Sequence, residues 1–321
     1  MKRKYRYAIV KTQHDIVLFF ERVFRVLKFN NLRSKVSRLK HKIVLEYMEF
    51  FFAEIIKKYK NLSNEEQNLL DINNIPIWIC WFQGSNNMPP LIKSCVNSIK
   101  NTNPKRSIIL IDDENMNKYV NISQDIKEKV KEKKISYAHY SDILRINLLN
   151  NWGGLWMDST LFCLKQIPDY IFELPLYTGV KQDKNSIPKS FKDLFISSCQ
   201  WSGFLCGSKY KKSVLFSFMS ECLDHYWKNH NSLLTYLFID YLIFLAIKNI
   251  SEVEDQFKNV PINNDDIYYL TKELLNSEYN KDILNEIQED TFVCKLSRHY
   301  EYCTDINGKK TLYKKIIDGE L

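Results

Sequence analysis

The sequence predicts an α/β domain in which helices cover a mainly parallel sheet, preceded by a basic helical region at the N-terminus. From about residue 75, apolar runs of strand length alternate with segments of helical periodicity, as expected of parallel β-α-β units. Before that point the chain lacks both helix breakers, since the first proline is Pro76 and the first glycine is Gly84. We therefore divide the chain into residues 1–70 and residues 71–321.

The N-terminal region is strongly basic. Residues 1–60 contain 16 Lys and Arg but 5 Asp and Glu, a net charge of +11, whereas the whole chain carries +8. Apolar residues recur there at helical spacing in two stripes, which predicts two or three amphipathic helices with a break near Asn30-Asn31. The first stripe is Phe20, Val23, Val26 and Leu27, and the second is Val36, Leu39, Ile43, Tyr47 and Phe50.

Three interpretations of this basic region are open. Its helices can attach to an anionic membrane surface, with basic side chains at the lipid headgroups. They can instead pack on the following domain, with their charges solvated. Nucleic-acid binding is the least favoured interpretation, because no recognition motif accompanies the charge.

The elements that follow residue 75 alternate in a regular order. The predicted strands are residues 75–82, 107–111 and 155–164, the first two being buried. The predicted helices are residues 90 to about 100, 123 or 124 to 133, and 138–151. Pro89-Pro90 opens the first of these helices, and Gly153-Gly154 supplies a left-handed stop for the last.

Acidic residues lie where ligands bind in such sheets, beyond the carboxyl ends of the strands. Asp112-Asp113 ends the second strand, and Asp158 interrupts an otherwise apolar one. A buried carboxylate needs a cation or several donors, so either a metal ion or a salt bridge to Arg145 would satisfy Asp158. Asp142 and Arg145 share a helix face, as a structural ion pair or as a ligand clamp.

Two further residues are candidates on local grounds. Trp81 lies where the chain leaves the first strand, so it can stack on a nucleobase or pack in the core. Asp240 lies within an apolar segment, residues 232–247, that is too short for a membrane span and that we expect to be a buried helix. Its carboxylate requires a partner such as a sugar hydroxyl, a cation, or a buried Tyr or Trp.

Several classes of protein are disfavoured. The chain has no Walker loop and no G-x-G-x-x-G, which argues against P-loop kinases and dinucleotide dehydrogenases. It has no G-x-S-x-G elbow and no H-E-x-x-H motif. The eight cysteines show no C-x-x-C spacing, so we expect small buried hydrophobic residues in a reducing cytoplasm. No secretory signal is expected.

Four segments of the chain form a recognisable set. They are Trp78-Ile79-Cys80-Trp81-Phe82-Gln83-Gly84, Met88-Pro89-Pro90-Leu91-Ile92-Lys93-Ser94-Cys95, Ala138-His139-Tyr140-Ser141-Asp142-Ile143-Leu144-Arg145 and Trp152-Gly153-Gly154-Leu155-Trp156-Met157-Asp158-Ser159-Thr160. Together they resemble the bacterial capsular polysaccharide synthesis glycosyltransferases and, more distantly, the glucosylating clostridial toxins and the yeast Golgi mannosyltransferases. The resemblance is dense over residues 75–165, weaker at 200–204 and 234–241, and faint at 295–297. It does not cover residues 1–70.

The resemblance implies a GT-A fold, a Rossmann-like nucleotide-sugar domain, and a retaining hexosyltransferase that uses a nucleoside diphosphate sugar with a uridine base. Carried over by position, Trp81 would stack on the base, and Asp142 and Arg145 would bind the donor sugar and its phosphates. Asp158 would contact the ribose, the sugar or a metal. The implied donor-binding residues are Trp81, Gln83, Gly84, Asp142, Arg145, Gly154 and Asp158. The implied catalytic residues are Asp142, Arg145, Asp158 and Asp240.

The resemblance also implies a divalent cation, Mn2+ or Mg2+. The wider superfamily has Asp-x-Asp at this strand end, whereas this chain has Asp158-Ser159-Thr160. A threonine is a weaker ligand for such a cation than a carboxylate, although Asp-x-Thr looks usual for the capsular branch. The expected metal ligands are Asp158, Thr160 and Ser297, with His299 as a further candidate.

The implied acceptor is a lipid-linked oligosaccharide at the inner face of the cell membrane. The chain would then be a cytoplasmic peripheral protein, bound to the anionic surface through residues 1–60, with no nucleic-acid partner. Two alternatives stay open: a catalytically silent scaffold that binds sugar nucleotides, and a toxin-like enzyme that glycosylates a protein. The absence of a delivery region counts against the second.

Overall fold

A computed structural model of the protein describes residues 2–179, 181–182 and 187–321, so Met1 of the predicted N-terminal region lies outside the described residues. The helices are α1 Lys2–Val26, α2 Asn30–Phe51, α3 Ala53–Tyr59, α4 Pro90–Thr102, α5 Gln124–Lys131, α6 Tyr137–Trp152, α7 Tyr170–Glu173, α8 Lys189–Lys192, α9 Val214–Asn229, α10 Phe238–Asn249, α11 Ser251–Lys258, α12 Lys272–Leu275, α13 Lys281–Asp290 and α14 Leu312–Asp318. The strands are β1 Ile77–Cys80, β2 Ile108–Ile111, β3 Gly154–Met157, β4 Leu161–Cys163, β5 Tyr177–Thr178, β6 Leu205–Ser208, β7 Val293–Lys295, β8 Asp305–Ile306 and β9 Lys309–Lys310.

The central sheet has five strands in the order β2-β1-β3-β6-β5. Strand β1 runs parallel to both of its neighbours, whereas β6 is antiparallel to β3 and to β5. The prediction of an α/β domain is confirmed, but that of a mainly parallel sheet is wrong, because the sheet is mixed. Strand β5 has two residues, too few for a period to be read, and β6 contains Gly207 and Ser208, which interrupt an apolar run.

The predicted strand 155–164 is in fact two strands. Strand β3 ends at Met157, and the chain then turns, with the Leu161 amide donating to the carbonyl of Asp158 at 2.9 Å. Strand β4 leaves the central sheet and pairs with β7 in a separate two-stranded sheet, Leu161 opposite Lys295. The continuous apolar pattern concealed this turn because both strands are fully buried. The turn carries Asp158.

The predicted strand 107–111 is confirmed as β2, but the expectation that it is buried is wrong for most of its length. It lies at the edge of the sheet, and only Ile111 is fully buried, whereas residues 108–110 are half-exposed. An apolar run therefore also occurs in an edge strand whose outer side is partly open.

The predicted helices after residue 88 are confirmed as α4, α5 and α6. Pro90 is the first residue of α4, and the Ser136 hydroxyl caps α6 by accepting a hydrogen bond from the His139 amide. Helix α6 ends at Trp152, and the next residue, Gly153, has a φ of 63° and a ψ of −154°. The positive φ agrees with the predicted stop, but the ψ lies outside the left-handed helical region.

The N-terminal region consists of α1, α2 and α3, and the first break falls immediately before Asn30, as predicted. Helix α1 packs against α2. Helices α2 and α3 contribute Val44, Met48 and Ile55 to the same buried cluster that holds Trp78 of the central sheet. Residues 30–59 therefore share a core with the sheet rather than forming a separately packed unit.

The apolar segment at residues 232–247 becomes helix α10, which begins at Phe238 and is largely buried. In the part of the chain that the structure describes, we find no helix with both the length and the apolar character needed to cross a membrane. Six of the cysteines are buried, Cys199 is half-buried and Cys303 is exposed, and all eight are free thiols. Apart from Cys303, they are at least half-buried, largely as the sequence predicted.

Candidate active site

A large cavity of about 1030 Å³ opens at the carboxyl ends of β1 and β3. Its walls come from the first half of α6, from the turn after β3, from the start of α10 and from the segment after β7. The cavity brings together residues that are up to about 220 positions apart in the sequence. The predicted site residues that line it are Trp81, Gln83, Asp142, Arg145, Asp158, Thr160, Asp240, Ser297 and His299.

Arg145 is the most buried charged residue of the cavity, with 6% of its surface exposed. Helix α6 carries it, and its Nη2 lies 3.2 Å from Asp142 Oδ1 and 3.3 Å from Asp158 Oδ1. Its Nη1 donates to the carbonyl oxygen of Gly203. A side chain at position 203 would collide with the guanidinium, because an added Cβ would lie 2.8 Å from Nη1. Arg145 is thus held in one orientation between two carboxylates.

Asp158 receives donors on both of its carboxylate oxygens. Trp156 Nε1 donates to Oδ1 at 2.8 Å, and Arg145 donates to the same oxygen. Lys295 Nζ donates to Oδ2 at 2.7 Å. Burial by itself would raise the pKa of Asp158, but the charges of Lys295 and Arg145 and these hydrogen bonds hold it below its ordinary value. Asp158 is therefore ionised at neutral pH, and the salt bridge to Arg145 that the sequence suggested is present.

Lys295 is a charged residue of the cavity that the sequence analysis missed. It ends β7, directly opposite Leu161 of β4, and its ammonium group also lies 4.7 Å from the centre of the Phe204 ring. The sequence pattern that identified Asp158 could also have identified Lys295. A charged residue interrupts the apolar run Val293-Cys294-Lys295-Leu296, and a charge in such a run requires a partner.

Asp142 and Asp240 face the same guanidinium and have raised pKa values. Burial raises the pKa of Asp142 to about 6, against the attraction of Arg145. Burial and the charge of Asp142 raise the pKa of Asp240 to about 7, again against Arg145. Of these two carboxyl groups, Asp142 is the more acidic, and the pKa of Asp240 lies close to neutral pH.

Trp81 follows β1 and is half-exposed on the cavity wall, as a residue that stacks on a base would need to be. Its Nε1 donates to the carbonyl of Asn87 at 3.4 Å, and the Arg298 guanidinium lies 5.6 Å from its ring centre. Gln83 is exposed at the same mouth. Arg298, like Lys295, was not among the predicted site residues.

Four predicted positions do not line the cavity, namely Gly84, Gly154, Asp112 and Asp113. Gly84 lies in the turn after β1 with a φ of 78°. Gly154 begins β3, at the end of the strand away from Asp158, where an added Cβ would lie 2.5 Å from the carbonyl oxygen of Pro76. Asp112 of the pair Asp112-Asp113 accepts hydrogen bonds from the Glu114 and Asn115 amides. These positions shape turns and the sheet, and the role in donor binding assigned to Gly84 and Gly154 stays a prediction.

The predicted metal ligands do not fit a divalent cation in this arrangement. Mg2+ takes oxygen ligands, of which one or two are protein carboxylates and the others come from water and phosphate, yet both oxygens of Asp158 already accept hydrogen bonds from cationic or N–H donors. Thr160 and Ser297 add only hydroxyl groups. Across the described residues, no cluster of three or more His, Cys, Asp and Glu side chains is placed to hold a metal ion.

The comparison with protein families gives one match. A family described as capsular polysaccharide synthesis protein matches residues 24–316, which is more than nine-tenths of the chain. The match begins within α1, so it includes most of the N-terminal helical region that the motif resemblance left uncovered. No curated protein matches the sequence.

Proposed function

This chain belongs to the family of capsular polysaccharide synthesis proteins, and on that premise we propose that it is a glycosyltransferase. It moves a sugar from a nucleoside diphosphate sugar, with uridine as the base, to a growing capsular or surface polysaccharide. The proposal includes the GT-A fold that the motifs imply. The parallel strands β2, β1 and β3, with a large cavity at the carboxyl ends of β1 and β3, support that fold.

The observation that carries the proposal is the convergence of Asp142, Arg145, Asp158 and Asp240 in one cavity. The volume of about 1030 Å³ is at the upper end of the range for small-molecule sites, which suits a ligand of the size of a sugar nucleotide. An aromatic ring at the mouth, Trp81, can stack on the base. Perturbed carboxyl groups at the bottom are typical of a reactive site.

The chemistry follows from these groups. The bond between the anomeric carbon and the diphosphate oxygen breaks, and its electron pair leaves with the diphosphate. Arg145 supplies positive charge that stabilises this leaving group. Asp142 and Asp240 favour the positive charge that develops on the sugar. The acceptor oxygen bonds to the anomeric carbon, and its proton passes to the departing diphosphate, which has gained the electron pair.

The rim of the cavity suits a carbohydrate acceptor. Four tyrosines line the cavity with more than half of their surface exposed, namely Tyr137, Tyr236, Tyr268 and Tyr300. Exposed aromatic surface on a rim commonly marks a ligand-binding groove. Aromatic faces beside hydroxyl groups can hold successive sugar rings of an oligosaccharide, which supports a lipid-linked oligosaccharide as the acceptor.

The proposed membrane contact is a surface of α1 that we name the α1 stripe. Its residues are exposed and apolar, and they lie on one face of the helix: Tyr5, Ile9, Ile16, Phe19, Phe20, Val26 and Leu27. Val10, His14 and Val17 lie on the opposite face and are buried or half-buried. Most of the α1 stripe therefore lies away from the helix on which α1 packs, whereas Tyr5 and Ile9 also line a cavity with Ile43 of α2.

Exposed basic residues near the end of α1, although they lie off the face of the α1 stripe, favour an anionic bilayer as its partner. Arg22, Arg25 and Lys28 are exposed in the same helix and the turn after it. Each basic residue near an anionic surface contributes about 1 kcal/mol, and apolar residues that enter the interface add to this. We propose that the α1 stripe binds the anionic inner face of the cell membrane, where a lipid-linked acceptor is found.

Donor turnover tests the enzymatic proposal. We expect the protein to hydrolyse or transfer from one of a panel of sugar nucleotides, and Asp158→Asn to abolish turnover, because the ionised carboxylate orients Arg145 and Lys295. Asp290→Asn is the matched control, since Asp290 is exposed at the end of α13. Binding of a donor without any turnover would indicate the silent scaffold. Transfer to a protein and not to a glycan would indicate the toxin-like alternative.

Liposome sedimentation tests the membrane proposal. We expect binding to phosphatidylglycerol vesicles that weakens with salt and is lost in the double variant Ile16→Gln, Phe20→Gln, since glutamine keeps the helix but removes the apolar surface. Ile262→Gln, at another exposed apolar position, should bind normally. A protein that ignores these vesicles at low salt, or that uses the α1 stripe to form dimers, would contradict the proposal.

A further inference from the structure

We infer that side-chain cations of this chain, with Lys295 at their centre, bind the diphosphate of the donor without a divalent metal ion. The inference rests on the proposed function, because it concerns how the same cavity holds its nucleotide. It starts from the disagreement described above between the predicted metal ligands and their observed contacts.

The first observation is the set of partners around Asp158. In an Asp-x-Asp site the carboxylates would face a metal ion, but here Oδ2 of Asp158 lies 2.7 Å from the Lys295 ammonium and Oδ1 lies 3.3 Å from the Arg145 guanidinium. The carboxylate thus already has two cations beside it. Thr160, in place of the second acid, removes negative charge that a metal would need.

The second observation is that the backbone at Lys295 is held in place, while its ammonium group is held by Asp158. Its amide donates to the Ile267 carbonyl at 2.7 Å, and the next amide, that of Leu296, donates to the Thr160 carbonyl at 2.9 Å. These bonds join the end of β7 to the turn that carries Asp158. A cation whose position is set before the ligand arrives stabilises developing charge at little cost in reorganisation.

The third observation is a pair of cations at the cavity mouth, Arg298 and Lys272. Arg298 lies against Trp81, where we propose that the base stacks, and Lys272 lies 5.7 Å from the centre of the Tyr300 ring. Within the part of the chain that the structure describes, neither forms an ion pair with a carboxylate. Cations that line a cavity without an acidic partner are suited to an anionic ligand.

These positions predict how charge is compensated during transfer. When the bond to the anomeric carbon breaks, the diphosphate gains the electron pair and therefore negative charge. Lys295 and Arg145 lie at the bottom of the cavity, and Arg298 lies beside the base. A lysine ammonium is a compact charge that binds phosphate oxygens well, and a guanidinium can hold two of them at once. Three protein cations thus take the role that a metal has in relatives with two acids.

Calorimetry with uridine diphosphate, inorganic pyrophosphate and uridine tests the inference, first in chelator and then with Mn2+. We expect uridine diphosphate and pyrophosphate to bind in chelator, with a Kd that Mn2+ changes by less than about threefold. Removal of one charge-assisted contact should weaken binding of these anions about tenfold or more. Binding of uridine, which carries no phosphate, should not change.

Four variants make the test specific. Lys295→Met should lose diphosphate affinity, and Lys295→Arg should recover most of it. Arg298→Gln should also weaken diphosphate binding, and it remains informative if Lys295→Met fails to fold, because Arg298 is exposed and does not contact Asp158. Lys100→Met, an exposed lysine of α4 outside the cavity, is the matched control and should bind as the wild type does.

Two kinds of result would overturn the inference, and only the second would also overturn the proposed function. If uridine diphosphate binds only with Mn2+, or if Lys295→Met and Arg298→Gln bind it as tightly as the wild type does, the inference is wrong and the proposed function stands. If none of the common nucleoside diphosphates binds in chelator or with Mn2+, the proposed function fails and this inference fails with it.

Discussion

The protonation of Asp240 gives a quantitative prediction about stability. Burial and the nearby charge of Asp142 raise the pKa of Asp240 in the folded protein from an ordinary value of 3.8 to about 7. The folded state therefore holds a proton on this carboxyl group over a pH range in which the unfolded chain has released it. Asp240→Asn imitates the protonated form at every pH, so it should remove this dependence on pH.

The sign and the size of this effect on stability follow from the linkage between protonation of Asp240 and folding. A carboxyl group whose pKa is raised by folding stabilises the protein fully below pH 3.8, and that stabilisation is lost as the pH rises through 7. The gap between 3.8 and about 7 corresponds to about 4 kcal/mol in total, at about 1.4 kcal/mol per pH unit. Between pH 5 and pH 8 the loss is about 2.5 kcal/mol, because at pH 5 the unfolded group is already mostly ionised.

Urea denaturation at pH 5 and pH 8, followed by tryptophan fluorescence, measures this effect. Between pH 5 and pH 8 the free energy of unfolding of the wild type should fall by about 2.5 kcal/mol more than that of Asp240→Asn. Glu286→Gln, at an exposed position of α13, should behave as the wild type does. If the free energies of unfolding of the wild type and of Asp240→Asn change in parallel with pH, then Asp240 is ionised in the folded protein and our account of its burial is wrong.

Two further predictions concern Arg145 and Gly154. Arg145→Lys keeps one positive charge but loses the planar guanidinium that contacts two carboxylates and the Gly203 carbonyl. Donor turnover should therefore fall by about 100-fold or more, and wild-type turnover would show that Arg145 has only a structural role. Gly154→Ala should lower the free energy of unfolding by about 2 kcal/mol or more, because Gly154 has a φ of 97° and an added Cβ would lie 2.5 Å from the Pro76 carbonyl oxygen; an unchanged urea midpoint would refute this.

The sequence predicted best those site residues whose charged side chains are buried in apolar segments. Asp158 and Asp240 stood out because each interrupts an apolar run, and both line the cavity. The same argument applies to Lys295, whose ammonium group interrupts the apolar run of β7 and pairs with Asp158.

Other features depend on tertiary structure that a local pattern does not contain. The apolar run from Leu155 to Leu164 has the periodicity of one buried strand, and only the pairing of β4 with β7 divides it. Likewise, the periodicity of α1 shows an apolar stripe but not what covers it. The stripe with Phe20 and Leu27 is exposed, because the opposite face is the one that packs on α2.

The shared core of α2, α3 and the sheet has a consequence for the choice of acceptor. Helix α1 packs on α2, and α2 contributes to the cluster that contains Trp78, so the α1 stripe and the cavity belong to one packed body. An enzyme that docks on a bilayer through such a body holds its reaction centre at a constant height above the lipid. A sugar linked directly to the lipid and a sugar several residues further out would be presented at different heights, and only one of them would meet the donor. The fold would then select acceptors by their length, without contacting every sugar of the acceptor.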